Sequence, residues 1–223
     1  MMRKAFSLLL AGLCLCCAIL SCKKSEPLDK PSDNLTYCVD GKTPMPTAVD
    51  MGIDGLSIKW ASFNLGASYP ADYGDYYAWG EMAAKESYTE ENYTLKTAPS
   101  NLTKAGRDVV REKLGGNWRM PTGEELKALR RTCHLTHEMI NGVKMAKYTN
   151  LKNNNSIYFP MGGYKRDNSV KEIGRSGYYW ASDINDYGEA RRTYFLYPTS
   201  DDVPYLTIDI FECDGLMIRP VCE

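Results

Sequence analysis

The chain has 223 residues, with 27 Lys+Arg against 28 Asp+Glu and a formal net charge of −1. A hydrophobic share of 43% and a charged share of 25% fit a folded protein rather than a disordered one. The even charge balance argues against a nucleic-acid binder, and 2 His leave little material for His-based catalysis or a multi-His metal site.

Residues 1–21 read as a secretory signal. Arg3 and Lys4 form a positive start, and the apolar stretch from Leu8 to Leu20 is too short to span a bilayer. The segment ILSC at 19–22 resembles a bacterial lipobox, which implies cleavage before Cys22 and acylation of its thiol. A lipidated amino terminus tethers a protein to a membrane without crossing it. Residues 22–46 carry Lys23, Lys24, Pro27, Pro31, Pro44 and Pro46 among polar neighbours, the composition of a linker. Residues 47–223 then have the length and apolar density of one domain.

In that domain the pattern predicts a helix over 104–114, with Val109, Val110 and Leu114 on one face and Gly115-Gly116 as its stop. A second helix opens at Thr122, where TGEE is a capping box with Thr122 as N-cap and Glu125 at N3. Alternation and β-forming residues predict strands over 56–60, 76–79, 156–159, 178–181, 193–197, 205–211 and 216–221. Asn141-Gly142 between two apolar segments predicts a tight hairpin. Two early helices followed by mostly sheet make the predicted class α+β.

Four cysteines remain after the signal and the lipidated Cys22: Cys38, Cys133, Cys213 and Cys222. An even number in an oxidising compartment predicts two disulfides, with three pairings open.

Several blocks carry a family resemblance. Residues 49–67 (VDMGIDGLSIKWASFNLGA) and 73–81 (YGDYYAWGE) resemble the opening of the Fibrobacter succinogenes major paralogous domain family. Residues 115–122 (GGNWRMPT), 177–182 (GYYWAS) and 215–221 (GLMIRPV) are similar to its later blocks, in the same order. The resemblance implies an exported lipoprotein of the cell envelope, at the outer membrane, with a C-type-lectin-like fold. Phe63 stands where relatives often carry cysteine, so no disulfide pairing carries over. The WRMPT block is also similar to one in formylglycine-generating enzymes; Cys213 and Cys222 are the nearest candidates for their paired active-site cysteines, and a structural disulfide is the simpler use of the two.

Arg119 and Arg219 are expected to hold carboxylates or backbone carbonyls inside the fold rather than to capture an anion. Metal-capable side chains are sparse. His134 and His137, at i and i+3, could share a helical face and bind a divalent ion with Glu138, but a zinc site needs a third or fourth ligand at a fitting spacing. Asp183 and Asp186 lie in a turn-forming DINDYGE segment with the oxygen chemistry calcium takes, although Tyr187 breaks the EF-hand pattern. Hence no cofactor is expected beyond a weak case for calcium.

The remaining signal is tyrosine, 16 in all. Tyr187, Tyr194, Tyr197 and Tyr205, with Asn185, lie among small polar residues late in the chain, where C-type-lectin-like proteins usually bind ligands. Tyrosine beside such residues gives rigid apolar area with a hydrogen-bonding tip. The expected function is therefore a lipid-anchored, non-catalytic binding or adhesion protein whose ligand is a glycan or a protein. A structural envelope or fimbria-associated subunit is the second reading, and a formylglycine-type enzyme the third.

Overall fold

The computed structural model describes residues 36–38, 41–196 and 210–223. The signal, Cys22 and most of the linker lie outside the described residues, as do Tyr197 and Tyr205. Among the described residues no helix is long and apolar enough to cross a membrane.

The elements run in chain order as β1 (Ala48–Val49), β2 (Lys59–Ala61), α1 (Val109–Leu114), β3 (Trp118–Arg119), α2 (Gly123–Thr132), β4 (His134–Ile140), β5 (Val143–Thr149), β6 (Ser156–Pro160), β7 (Tyr164–Arg166), β8 (Ser169–Lys171), β9 (Ser176–Ile184), β10 (Ala190–Leu196) and β11 (Val221–Cys222). Pairing is antiparallel throughout the named strands, in sheets ordered β1-β2-β11-β3, β4-β5-β6, β7-β8 and β9-β10. The architecture is mixed α+β, mainly antiparallel sheet with few helices.

Three segments in the middle alternate between two cores. Tyr179 and Ala181 of β9 face one core with Trp60, Leu129, Tyr148 and Phe159. Tyr178 and Trp180 face the other with Trp79, Leu102, Val110 and Met120. Residues 76–79 and 216–218 divide in the same way, because side chains in extended backbone point to opposite faces in turn. The backbone joins them: Tyr77 and Leu216 exchange bonds of 2.9 and 3.0 Å, and Trp180 N–H donates to Met217 O at 3.1 Å. Trp79 Nε1 donates to Ala181 O at 2.9 Å, while Trp180 Nε1 donates to Tyr77 O at 2.8 Å. Each indole fills one core and also closes a bond across this central layer. Residues 76–79 and 216–220, expected as strands, form only isolated bridges and join the layer in fragments.

The second helix has the cap its sequence predicts. Thr122 Oγ1 accepts from Glu125 N at 3.2 Å, and Glu125 Oε2 accepts from Thr122 N at 2.8 Å. Such a cap is worth about 1 kcal/mol. Arg119, two residues before the rigid Pro121, grips the same carboxylate in a two-pronged pair at 2.7 and 2.9 Å, and donates to Glu223 at 3.0 Å. Glu125's hydrogen bond, against the cost of burial, holds the Arg119 guanidinium firmly charged. Arg219 is wholly buried and serves carbonyls, which agrees with the structural role expected for both arginines.

The first helix differs from its prediction, beginning at Val109 rather than 104. Gly106 sits at φ 68, in the left-handed region, and residues 101–107 close turns instead. Asp108 is the true N-cap. Its carboxylate accepts from Val110 N at 3.0 Å and from Met120 N at 2.9 Å, pinning the helix to the segment before α2. The Asn141-Gly142 hairpin forms as expected between β4 and β5, with φ of 49 and 80 at the two turn residues.

Among the described residues no disulfide joins Cys133, Cys213 and Cys222, where bridges were expected. Cys38, Cys133 and Cys213 are buried and Cys222 is half-buried. Burial raises the thiol pKa of Cys133, Cys213 and Cys222, which holds them protonated and weakly nucleophilic.

Candidate functional site

The end of β9 is fastened to the start of α2. Ser182 N donates to Pro121 O at 2.8 Å, and Asp183 Oδ1 accepts from Gly123 N at 2.7 Å. Asp183 thus satisfies a helix N-terminal amide, which would otherwise lack a partner. It acts as a cap for the helix.

Beyond it the chain turns tightly before β10, and Asn185 organises the turn. Its Oδ1 accepts from Tyr187 N at 2.9 Å and Glu189 N at 3.0 Å, and its Nδ2 donates to Glu189 Oε2 at 2.8 Å. Gly188 N donates to Asn185 O at 3.0 Å, with Gly188 at φ 83 where a Cβ would be strained. Asn185 spends its polar atoms on the loop, so its role is to shape the site rather than to touch a ligand. The turn lifts Tyr187 to the surface, where it is 89% exposed.

Between this turn and α2 lies a groove of 480 Å³. Leu126, Lys127 and Arg130 of α2 form one wall; Asp186, Tyr187, Glu189 and Arg192 form the other. Lys127 is exposed and bonded to Glu124 at 2.7 Å. The groove therefore offers one free aromatic face, aliphatic floor from Leu126, and charges of both signs. Such a surface has the side-chain chemistry that a polar ligand could use. A shallower hollow of 320 Å³ lies beside Glu81, whose carboxylate is already taken by Lys85 at 2.7 Å and by Thr94 at 2.8 and 2.9 Å.

Asn185 and Tyr187, expected together on the binding face, do meet at this groove. Tyr194 lies on β10 with its backbone paired to Tyr178, which places it in the same two-stranded sheet. The basic wall escaped sequence reasoning, because Lys127, Arg130 and Arg192 carry no motif. The spacing of Lys127 and Arg130 along α2, one turn apart on the side away from Leu129, is the signal that was available, while Arg192 comes from β10.

The histidine pair is also corrected. His134 and His137 lie on β4, not on a helix, and a spacing of three along a strand puts them on opposite faces. Asp186 is exposed on the turn. Among the described residues no three His, Cys, Asp or Glu side chains converge as metal ligands.

Seven tyrosines serve the core. Tyr76, Tyr77, Tyr88, Tyr148, Tyr164, Tyr178 and Tyr179 are buried. Their hydroxyls find internal acceptors: Tyr76 donates to Gly162 O at 2.6 Å and Tyr179 to Pro160 O at 2.8 Å. Tyr187, like Tyr37, is exposed instead, lifted to the surface by the geometry of its turn.

The fold and site thus define an α+β domain with a mixed-charge surface groove. Comparison of the chain with protein-family models, curated proteins and solved structures found no match.

Proposed function

We propose that the protein is a lipid-anchored binding or adhesion protein of the cell envelope, at the outer membrane, with a C-type-lectin-like domain of the Fibrobacter succinogenes major paralogous type. It acts without catalysis, and its ligand is a glycan or a protein carrying exposed polar groups. The observation that carries this reading is the groove beside α2 with Tyr187 presented at its rim. A tyrosine held at the tip of a turn whose hydrogen bonds are closed among themselves loses little entropy when a ligand stacks on it. Support for the anchor comes from the ILSC segment and Cys22, and for the domain type from the five ordered sequence blocks.

The groove is tested by probing arrays of glycans and envelope proteins with the full chain, in calcium and in chelator. Tyr187→Ala leaves the fold intact, because the side chain is exposed, and lowers retained signal about tenfold or more. Absence of signal from the unmodified chain on every probe refutes the reading. The anchor has its own check: a fatty-acid analogue labels the unmodified protein and fails to label Cys22→Ala.

A further inference from the structure

The walls of the groove beside α2 carry three cations and two carboxylates, and most of them are already engaged. Lys127 pairs with Glu124 at 2.7 Å, and Glu189 holds the Asn185 amide at 2.8 Å. Arg130 and Asp186 have interactions of their own. Arg192 differs. It is exposed on β10, and its guanidinium makes no hydrogen bond or ion pair among the described residues.

Regular strand alternation does not account for that exposure. Arg192 stands opposite Trp180, and Ala190, two residues earlier, stands opposite Ile184. Opposed residues share a face of a sheet, and Ala190 and Trp180 both fill the core that holds Trp79 and Leu102. Even alternation would send Arg192 the same way. The ladder is instead irregular between Ala190 and Arg192, where two steps along β10 answer four along β9. Irregularities of this kind re-aim side chains and are over-represented beside active sites. Here the guanidinium leaves the core face and lines the groove.

We propose that the groove takes a sugar that bears a carboxylate, a uronic or sialic acid, with its ring on Tyr187 and its carboxylate on Arg192. This rests on the binding reading above and names the class of ligand. A guanidinium presents a planar fork that matches a carboxylate with two parallel hydrogen bonds, and Arg192 is the groove cation with that fork unspent. Tyr187, 89% exposed, offers the flat apolar face on which the C–H side of a ring rests. Sugar hydroxyls both donate and accept, which suits walls that hold Lys127 and Glu189 together. A polyanion would instead meet repulsion from Asp186 and Glu189. Size points the same way: 480 Å³ lies within the range of about 300–1,000 Å³ usual for small-ligand sites. A folded protein partner needs a far broader surface, about 800 Å² on each side.

The test is an array of uronic- and sialic-acid oligosaccharides, each printed beside its own methyl ester, with neutral sugars and envelope proteins on the same slide. The ester keeps the ring and removes the charge. The full chain is expected to retain at least one acid about tenfold more strongly than its ester. Arg192→Gln erases that preference, whereas Tyr187→Ala lowers retention of acid and ester alike. Both side chains are exposed, so thermal melts of the two variants match the unmodified protein. The ester comparison on the unmodified chain decides the matter even where a variant melts early. Equal retention of every acid and its ester, no retention of any acid, or a preference that survives Arg192→Gln overturns the proposal. Tyr187-dependent binding of neutral sugars or proteins alone would overturn it and leave the binding reading standing, whereas silence on every probe overturns both.

Discussion

Replacing Arg219 by Leu is expected to cost about 3–5 kcal/mol, enough to unfold most of a domain of ordinary stability at 37 °C. Arg219 has no exposed surface, yet its guanidinium joins separate parts of the fold. Nε donates to Asn64 Oδ1 at 2.9 Å, one terminal nitrogen donates to Ala61 O of β2 at 2.9 Å, and the other to Tyr158 O of β6. The plane lies 4.6 Å from the Phe159 ring centroid. Leucine matches the apolar ring but strands three acceptors in a dry interior, where each unsatisfied group carries its full desolvation penalty. Burial pushes the Arg219 pKa down to about 10, which still leaves it charged at neutral pH.

Lysine is no substitute, since one ammonium on a flexible stem cannot reach acceptors spread along a planar fork. Arg219→Lys is therefore expected to be nearly as damaging as the leucine change. Chemical denaturation of both variants measures this. A loss below about 1 kcal/mol for either would show that water replaces the guanidinium at no great cost.

What could be seen in the sequence divides by the range of the interactions. The capping box at Thr122 and Glu125 and the Asn141-Gly142 turn are closed within a few residues, so local chemistry suffices to find them. The role of Asp108 was hidden because half of it lies with Met120, twelve residues on. The cap made by Asp183 was hidden as well, because nothing nearby in the chain shows that Gly123 will donate to it from sixty residues away. The histidines failed for another reason. Helical spacing was read past the end of α2 at Thr132, where the chain at once becomes a strand paired with β5. Tyrosine is abundant in the sequence, but its amphipathic character serves a core as well as a surface. Only long-range burial separates Tyr179 from Tyr187.

Acid should loosen the wall of the groove through Glu125. Burial alone would raise its pKa, but the Arg119 pair and the Thr122 amide outweigh that and hold it below the ordinary value of 4.5. A carboxylate with a depressed folded pKa contributes stability that is fully present above the unfolded value. That contribution is lost as pH falls through the folded one. The Arg119–Glu125 pair is mostly shielded, with side-chain exposures of 12% and 9%, so solvent screens it little. Glu125→Gln keeps the shape and one acceptor but removes the charge, at an expected cost of about 2–3 kcal/mol at pH 7. The difference between the two proteins should be constant from pH 7 down to about 4.5 and then shrink, because protonation does to the native side chain what the substitution has already done. Urea denaturation across this range measures it, and a gap that stays the same at pH 3 would mean that Glu125 is not held as a carboxylate by Arg119. Lys127 and Arg130 stand on the helix that this carboxylate caps. Any ligand held between α2 and Tyr187 should therefore bind less tightly over the same window of falling pH, and the Glu125→Gln protein should bind weakly at both ends of it.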